Sequence, residues 1–453
     1  MPAPARRAPG LDVAGRQAVV VGLAASGLAA TRVLRGLGAE VRVTERRPLD
    51  AIRAGAEAAA EVGAEVLAGG HAPEHLDGAS LLITSPGVPE DAEVLGWARD
   101  RGIPVWSEIE LGARLASVPY IGVTGTNGKT TVSEMIAAAL REDGREAVAC
   151  GNAGHPFSLA ATEEHDALVV EVSSFQLRFH ESFHPRVSVL LNLAPDHLDW
   201  HGGESGYREA KRRILEFQGP GDTHVGNASD GAAAAISAAA PCPVIWFRPG
   251  EPADGEVGYV DGRLVARVDG RHELGALPTV SPVLRENAAA AAAAALAFGA
   301  APHAVAAALA GFRPLPHRGE VVAEVDGVRF VNDSKATNPH AALASIRGHH
   351  EPVLIAGGLS KGVDLSPLAE VASDLRGAVV LGEAADDLAG LLEGRTALAR
   401  AASVEEAVRT AFAMAGRGGT VLLAPACASQ DMFLDYRERG ERFAAAARAL
   451  EEE

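Results

Sequence analysis

Short apolar runs, each closed by glycine or small polar residues and followed by a stretch of helical period, recur along this chain. Residues 18–21 predict a strand, Gly22 to Gly27 a turn, and the stretch through Leu37 a helix. The next strand, 41–44, ends at Glu45, and a later one ends in Ser85, Pro86 and Gly87. Residues 120–123 predict a further strand, followed by the loop 124–131 (Thr-Gly-Thr-Asn-Gly-Lys-Thr-Thr) and a helix over 132–140. Two more buried strands are expected at 167–172 and 187–193. Alanine tracts fill much of 227–311, and one should be a helix opening at Glu286 and broken by Phe298 and Gly299. Beyond Pro314, strands over 328–331, 353–356 and 421–424 each end in a polar or glycine-bearing segment. Asn338 followed by Pro339 fits a helix N-cap and first helical position.

Strands alternating with helices predict an α/β protein, here in three segments: 1–110, 111–314 and 315–453. The first is a Rossmann-like βαβ opening. Its turn is similar to the dinucleotide fingerprint, but Ala24 stands at the middle glycine, so the motif supports only a nucleotide-type ligand. The second is a P-loop ATPase-like parallel sheet, and the third a second Rossmann-like open parallel sheet. In each, the site is expected at the C-terminal ends of the strands.

Composition narrows the partners. The 453 residues carry a net charge of −18, which argues against nucleic acid or an anionic membrane surface. A phosphorylated ligand must then be held locally, by Lys, Arg, metal and backbone N–H groups. Cys150, Cys242 and Cys427 are few and scattered, giving neither a disulfide framework nor a zinc pattern, as suits a reducing cytoplasm. Arg6 and Arg7 before the apolar run imitate an export signal, but Gly22 and Gly27 interrupt that run. No stretch reaches the roughly 18 apolar residues of a membrane span.

The candidate chemistry follows the lysines. There are four, Lys129, Lys211, Lys335 and Lys361, against 37 arginines, and each sits in a motif-like segment. A chain so biased toward Arg keeps Lys where a compact charge or a deprotonatable amine is needed. In the loop 124–131, Gly125 and Gly128 let the N–H groups of Thr126, Asn127 and their neighbours face phosphate oxygens. Lys129 would add charge at the β/γ-phosphates, Thr130 could offer its hydroxyl to Mg²⁺, and Thr131 follows into the helix. Val123 stands where a general P-loop has its first glycine. Glu171, at the end of a buried strand, reads as a metal ligand or as a paired, strand-capping carboxylate. His197 follows the next strand between Asp196 and Asp199. It is expected to share one strand edge with Glu171 and Thr130 as a Mg²⁺ cluster.

Taken in order, these segments resemble the Mur ligases over essentially the whole chain. The resemblance rests on Thr-Gly-Thr-Asn-Gly-Lys-Thr, Glu-Val-Ser-Ser-Phe-Gln-Leu and Asp-His-Leu-Asp with a Lys 14 residues past His197. It continues through His-Arg, then Asn-Asp-Ser-Lys-Ala-Thr-Asn, and Ala-Cys-Ala-Ser429. Asp-Ser-Lys-Ala-Thr337 is similar to the branch that joins D-glutamate to UDP-N-acetylmuramoyl-L-alanine. What the resemblance implies is ATP-dependent amide formation through an acyl phosphate, by a cytoplasmic monomer with small-molecule substrates. It implies no nucleic-acid or membrane partner. The UDP part would be held by Gly22, Leu23, Ala24, Ala25, Ser26, Gly27, Glu45, Arg46, Ser85, Pro86 and Gly87, with Asn152 and His197 further along. ATP would meet the loop Gly125 to Thr131 together with Asn287, Arg318 and Asp333. Thr130, Glu171, His197 and a carbamylated Lys211 would organise two Mg²⁺ ions. Lys335, Thr337, Lys361, Ser429 and Tyr436 would hold glutamate. Lys129, Glu171, His197, Lys211 and Arg318 form the implied catalytic set.

There are departures from the family pattern. Glu286 replaces an expected His and Ala290 an expected Asn, touching the adenine contact. Tyr436 replaces Phe, and Glu45 replaces Asp. A folylpolyglutamate synthase would not need the first segment, and an NAD dehydrogenase would leave the Lys129 loop unexplained. A non-catalytic ATP-binding regulator would have no use for the metal and phosphate groups.

Overall fold

The computed structural model describes residues 11–277 and 282–451. Arg6 and Arg7, and residues 278–281 of the alanine-rich stretch, lie outside the described residues. The chain divides into two compact units. One holds residues 1–193, 200–277 and 287–311; the other holds 194–199, 278–286 and 312–453.

Among the described residues the first unit contains two sheets. Five parallel strands make the first, β1 (Gln17–Val21), β2 (Glu40–Glu45), β3 (Glu65–Ala68), β4 (Ala79–Thr84) and β5 (Val105–Ser107), in the order β3-β2-β1-β4-β5. The order reverses at β1, which places the Gly22–Gly27 turn at the switch point where the neighbouring strand ends open a crevice. Val19, Val20 and Val21 are completely buried because helices cover both faces, so the run is apolar without alternation.

The second sheet runs β14-β13-β12-β11-β10-β9-β6-β8-β7. Its parallel part is β6 (Tyr120–Thr124), β7 (Ala147–Gly151), β8 (Ala167–Glu171), β9 (Val187–Leu190), β10 (Thr223–Asn227), β11 (Val244–Phe247) and β12 (Glu256–Val260). β13 (Arg263–Ala266) and β14 (His272–Gly275) extend this parallel sheet by antiparallel pairings, which the sequence did not announce. The hairpin turn at Asp261-Gly262, both with positive φ, lets β13 return against β12. The β9 strand stops at Leu190, three residues before the sequence suggested, and Asn192 bends the chain toward the phosphate-type loop. Two carboxylates, one half-buried and one buried, tie the first sheet's layer to the second. Arg178 grips Glu90 through two hydrogen bonds of 2.9 and 2.6 Å. The fully buried Glu110 accepts from Arg114, from the Glu181 and Ser182 N–H groups and from the Ser182 hydroxyl.

Among the described residues the second unit contains one sheet, β15 (Glu320–Val325), β16 (Val328–Asn332), β17 (Val353–Gly357), β18 (Gly377–Leu381), β19 (Ala397–Arg400) and β20 (Thr420–Ala426), ordered β15-β16-β20-β17-β18-β19. It is parallel except at β15, which pairs antiparallel with β16 through the tight Asp326-Gly327 turn. The alanine-rich helix begins at Pro282 rather than at Glu286, since proline suits a first helical turn. Asn338 caps the helix Pro339–Ile346 by accepting from the Ala341 N–H, as the sequence predicts.

Candidate active site

The loop after β6 owes its shape to two glycines. Gly125 has φ +155° and Gly128 φ +86°. A Cβ on Gly125 would stand 2.8 Å from the Leu191 side chain, and one on Gly128 2.5 Å from Asn287 Oδ1. The loop is pinned by Asn192, which sequence reasoning missed. Its Oδ1 accepts from the Asn127 N–H at 2.8 Å and its carbonyl from the Thr126 N–H at 3.0 Å. Only a strand ending one turn early makes that residue available.

Lys129 is the first residue of the helix Lys129–Glu142 and is half-buried, not an exposed loop cation. Its Nζ donates to the Gly125 and Thr126 carbonyls at 3.0 and 2.9 Å. The helix N-terminus and the ammonium thus face the same loop concavity, an arrangement suited to an anion. Lys211, on the helix Glu204–Arg212, is 1% exposed. Its Nζ donates to the Gly125 carbonyl at 2.8 Å and to Thr124 Oγ1 at 3.4 Å, and lies 4.9 Å from the Tyr207 ring. Tyr207, also absent from the sequence-derived set, shares a hydrogen bond of 2.9 Å with the Thr126 hydroxyl. Two lysines far apart in sequence therefore meet the same backbone carbonyl.

Glu171 ends β8, and its side chain is buried. Oε1 accepts from Asn152 Nδ2 at 2.7 Å, while Oε2 is sealed from solvent without a hydrogen-bond partner. An anionic oxygen held this way is costly unless a cation meets it. Glu134, one turn beyond Thr130, is a second half-buried carboxyl. Burial raises its pKa, and so does the Glu171 charge, while Arg141 opposes them. The oxygen-rich donor set of Thr130 and Glu171 fits a hard divalent cation. Among the described residues no three His, Cys, Asp or Glu side chains converge on one point, so a metal here would also draw on hydroxyl and ligand oxygens. His197, with φ +50° and its Nε2 3.6 Å from Asp196, falls in the segment 194–199 that groups with the second unit. Its assignment to a cluster with Glu171 and Thr130 therefore rests on the sequence. The Asp199 side chain lies outside the described residues.

In the first sheet, Glu45 is only 5% exposed and is the anchor of the glycine-bearing turn. Oε2 accepts from the Leu23 N–H at 2.9 Å and from Arg47 at 2.9 Å; Oε1 accepts from the Arg47 N–H at 2.9 Å. Burial alone would raise its pKa, but the Arg47 guanidinium and the two N–H groups prevail and hold it at about 2. Arg46, the neighbour chosen from sequence, is exposed, whereas Arg47 makes the ion pair. Ser85 completes the turn, its hydroxyl donating to the Gly22 carbonyl at 3.4 Å. A Cβ on Gly27 would meet that carbonyl at 2.0 Å. Ala24, Ala25 and Gly87 are exposed at the same crevice, with Ser26 and Pro86 half-buried.

In the second unit, the ends of β16, β17 and β20 bring Lys335, Thr337, Gly357 to Lys361 and Ser429 to one edge of the sheet. Lys335 Nζ lies 4.0 Å from the Tyr436 ring centroid, a cation–π contact. Lys361 is exposed and held at φ +54°; Ser429 is 1% exposed. Asp333 and Arg318 interact within this unit. Burial pushes the Asp333 carboxyl up to about 6, with the Ser345 hydroxyl, the Arg318 charge and the Gly319 N–H pulling the other way. A carboxyl raised in the fold contributes stability below its unfolded value of 3.8, and that contribution is lost as pH rises through 6. Asp333→Asn should therefore flatten the fall in folding stability between those pH values, as read by urea denaturation. A profile identical to the wild type would show that Asp333 does not titrate there.

The fold and these groups define a class: an α/β enzyme with a glycine- and lysine-bearing loop at a helix N-terminus in one unit and a Lys- and Ser-bearing strand edge in the other. The comparisons with known proteins specify it further. The Mur ligase MurD-like N-terminal domain matches residues 16–107, the Mur ligase middle domain 123–295, and the Mur ligase glutamate ligase domain 317–427. The chain belongs to the Mur ligase family. It is 45% identical to the UDP-N-acetylmuramoylalanine--D-glutamate ligase of Frankia casuarinae, over 97% of this chain and 95% of that one. To the enzyme of the same name from Thermobifida fusca it is 42% identical, over 97% of this chain and all of that one. The crystal structure of MurF from Acinetobacter baumannii shares the three-domain fold. Its TM-score is 0.62 at 18% identity, over 98% of this chain and 92% of that one. No helix among the described residues is long and apolar enough to cross a membrane.

Proposed function

We propose that this chain joins D-glutamate to UDP-N-acetylmuramoyl-L-alanine with hydrolysis of ATP to ADP and phosphate, in the cytoplasmic synthesis of peptidoglycan precursor. The observation that carries the proposal is the loop after β6, where Lys129, Lys211 and the helix N-terminus surround one set of backbone groups. It is supported by the 45% identity to a ligase of that name.

The reaction brings an anionic carboxylate to the anionic γ-phosphate, so its first need is positive charge. Lys129 and the loop N–H groups supply it and hold the phosphates in line with the substrate carboxylate. The carboxylate oxygen attacks the γ-phosphorus, ADP leaves, and an acyl phosphate results. The amine of D-glutamate, deprotonated, adds to the acyl carbon, and the tetrahedral intermediate expels phosphate. Lys335, Thr337, Lys361, Ser429 and Tyr436 are assigned to the glutamate; Asn287, Arg318 and Asp333 to ATP. Gly22 to Gly27, Glu45, Arg46, Ser85 to Gly87, Asn152 and His197 are assigned to the UDP substrate.

Two Mg²⁺ ions, when bound, would offset phosphate charge. Thr130, Glu171, His197 and Lys211 as a carbamate are the proposed ligands. The orphaned Glu171 Oε2 supports this set, and His197 enters it from its place in the sequence and from the resemblance. Carbamylation would exchange the hydrogen bond of Lys211 to the Gly125 carbonyl for two anionic oxygens near the loop.

The deciding measurement is phosphate release with UDP-N-acetylmuramoyl-L-alanine and ATP, crossed with D-glutamate, L-glutamate and other amino acids. Release should depend on D-glutamate. Equal rates with L-glutamate, or release without either substrate, would overturn the proposal.

A further inference from the structure

Arg439, on the helix Tyr436–Ala449, is 2% exposed and belongs to none of the groups assigned above. Its guanidinium spans three strand ends. Nε donates to Ser334 Oγ at 3.0 Å and one terminal nitrogen to the Ser334 carbonyl at 2.9 Å, past β16. The other terminal nitrogen reaches the Gly357 carbonyl of β17 at 3.3 Å, and the Cys427 and Ala428 carbonyls beyond β20 at 3.2 and 3.4 Å. Each anchored segment carries a proposed glutamate contact. Ser334 precedes Lys335, Gly357 leads to Lys361, and Ala428 precedes Ser429. The Ser334 hydroxyl in turn donates to the Tyr436 carbonyl at 2.7 Å. The ends of β17 and β20 also meet directly, Leu359 and Ala428 exchanging two backbone hydrogen bonds of 2.9 Å, and a Cβ on Gly358 would stand 2.0 Å from the Ala428 carbonyl.

A neutral amide would satisfy fewer of these acceptors, and a lysine lacks the planar fork that reaches three loops at once. Among the described residues no carboxylate lies within ion-pair distance of the guanidinium. Burying a cation against carbonyls alone is expensive. Burial lowers its pKa to about 10, which leaves it protonated at neutral pH.

We infer that Arg439 is a positioning residue for the incoming amino acid: it locks the three strand-end loops in register and leaves a net positive charge beneath the dicarboxylate they hold. The inference rests on the proposed glutamate site. It predicts a defect largest for D-glutamate: the UDP-substrate groups are borne on other segments, and of the ATP groups Asp333 alone adjoins an anchored residue.

The test is steady-state kinetics for each substrate, with thermal melting, on Arg439→Lys, Arg439→Met and Ser334→Ala. In Arg439→Lys the KM for D-glutamate should rise about tenfold, the worth of one charge-assisted hydrogen bond, with a smaller rise for ATP and the KM for the UDP substrate nearly unchanged. Ser334→Ala keeps the charge but removes one anchor, and should raise the same KM by about threefold. Should Arg439→Met fail to fold, the other two variants decide. An unaltered KM for D-glutamate in both, or three KM values rising together with loss of melting temperature, would make Arg439 a purely structural residue and overturn the inference. A wild type without D-glutamate-dependent phosphate release would instead overturn the underlying functional reading.

Discussion

Lys129→Ala should abolish ligation while leaving the protein folded. The expected loss in turnover is about a thousandfold, the scale seen when one preorganised group is removed from a developing charge. The structural cost is small by comparison. The half-buried side chain makes two hydrogen bonds, both to carbonyls of its own loop, and losing them should cost about 1 kcal/mol. The loop itself stays pinned, since Asn192 holds Thr126 and Asn127 independently of the lysine. Phosphate release and the melting temperature, measured on one preparation, check this. Turnover near the wild-type value, or a variant that does not fold, would remove Lys129 from the phosphate site.

An equally large loss is expected for Lys211→Ala, but with a different signature. The side chain is completely enclosed, and its amine already meets the Gly125 carbonyl and the Thr124 hydroxyl. If Lys211 acts as an ammonium, it steadies the loop, and no added anion can replace it. If it acts as a carbamate, the neutral amine takes up CO₂ and releases a proton, leaving a carboxylate-like group at the end of the chain. Short carboxylic acids should then restore part of the activity of Lys211→Ala, and depleting bicarbonate should slow the wild type. Lys211→Arg should stay inactive, because guanidinium does not react with CO₂ at neutral pH. A fully active Lys211→Ala or Lys211→Arg would end the carbamate assignment. An inactive Lys211→Ala that no carboxylic acid rescues, in an enzyme indifferent to bicarbonate, would favour the ammonium.

Local chemistry made part of this protein readable without a structure. Apolar runs such as 18–21 and 353–356 could only be buried strands, and the structure places both at the centre of their sheets. The glycines of the loop 124–131 and the Asn338-Pro339 cap work through backbone geometry within a few residues, so sequence order captured them. Family likeness supplied the proposed glutamate residues and the proposed carbamate at Lys211, which no periodicity could have distinguished from ordinary polar groups.

What the sequence could not give depends on residues brought together from afar. Glu45 was legible as a strand-end carboxylate. Its pairing with Arg47 rather than exposure beside Arg46 depends on which way the chain leaves β2. Asn192 became a loop clamp only because β9 ends early, a boundary that propensity does not fix. The antiparallel pairings of β13, β14 and β15 fell within segments too short and mixed for a period to show. Arg439 sits among other charged residues of the helix Tyr436–Ala449, and nothing along the chain singles it out. Its burial against Ser334, Gly357 and Cys427 spans more than a hundred residues of sequence. The sequence by itself determined the strands, the loop and the lysines, because these follow from neighbours along the chain. Only the tertiary structure decided which buried polar atoms meet, because a desolvated charge takes its partners from whatever the fold brings within about 3 Å.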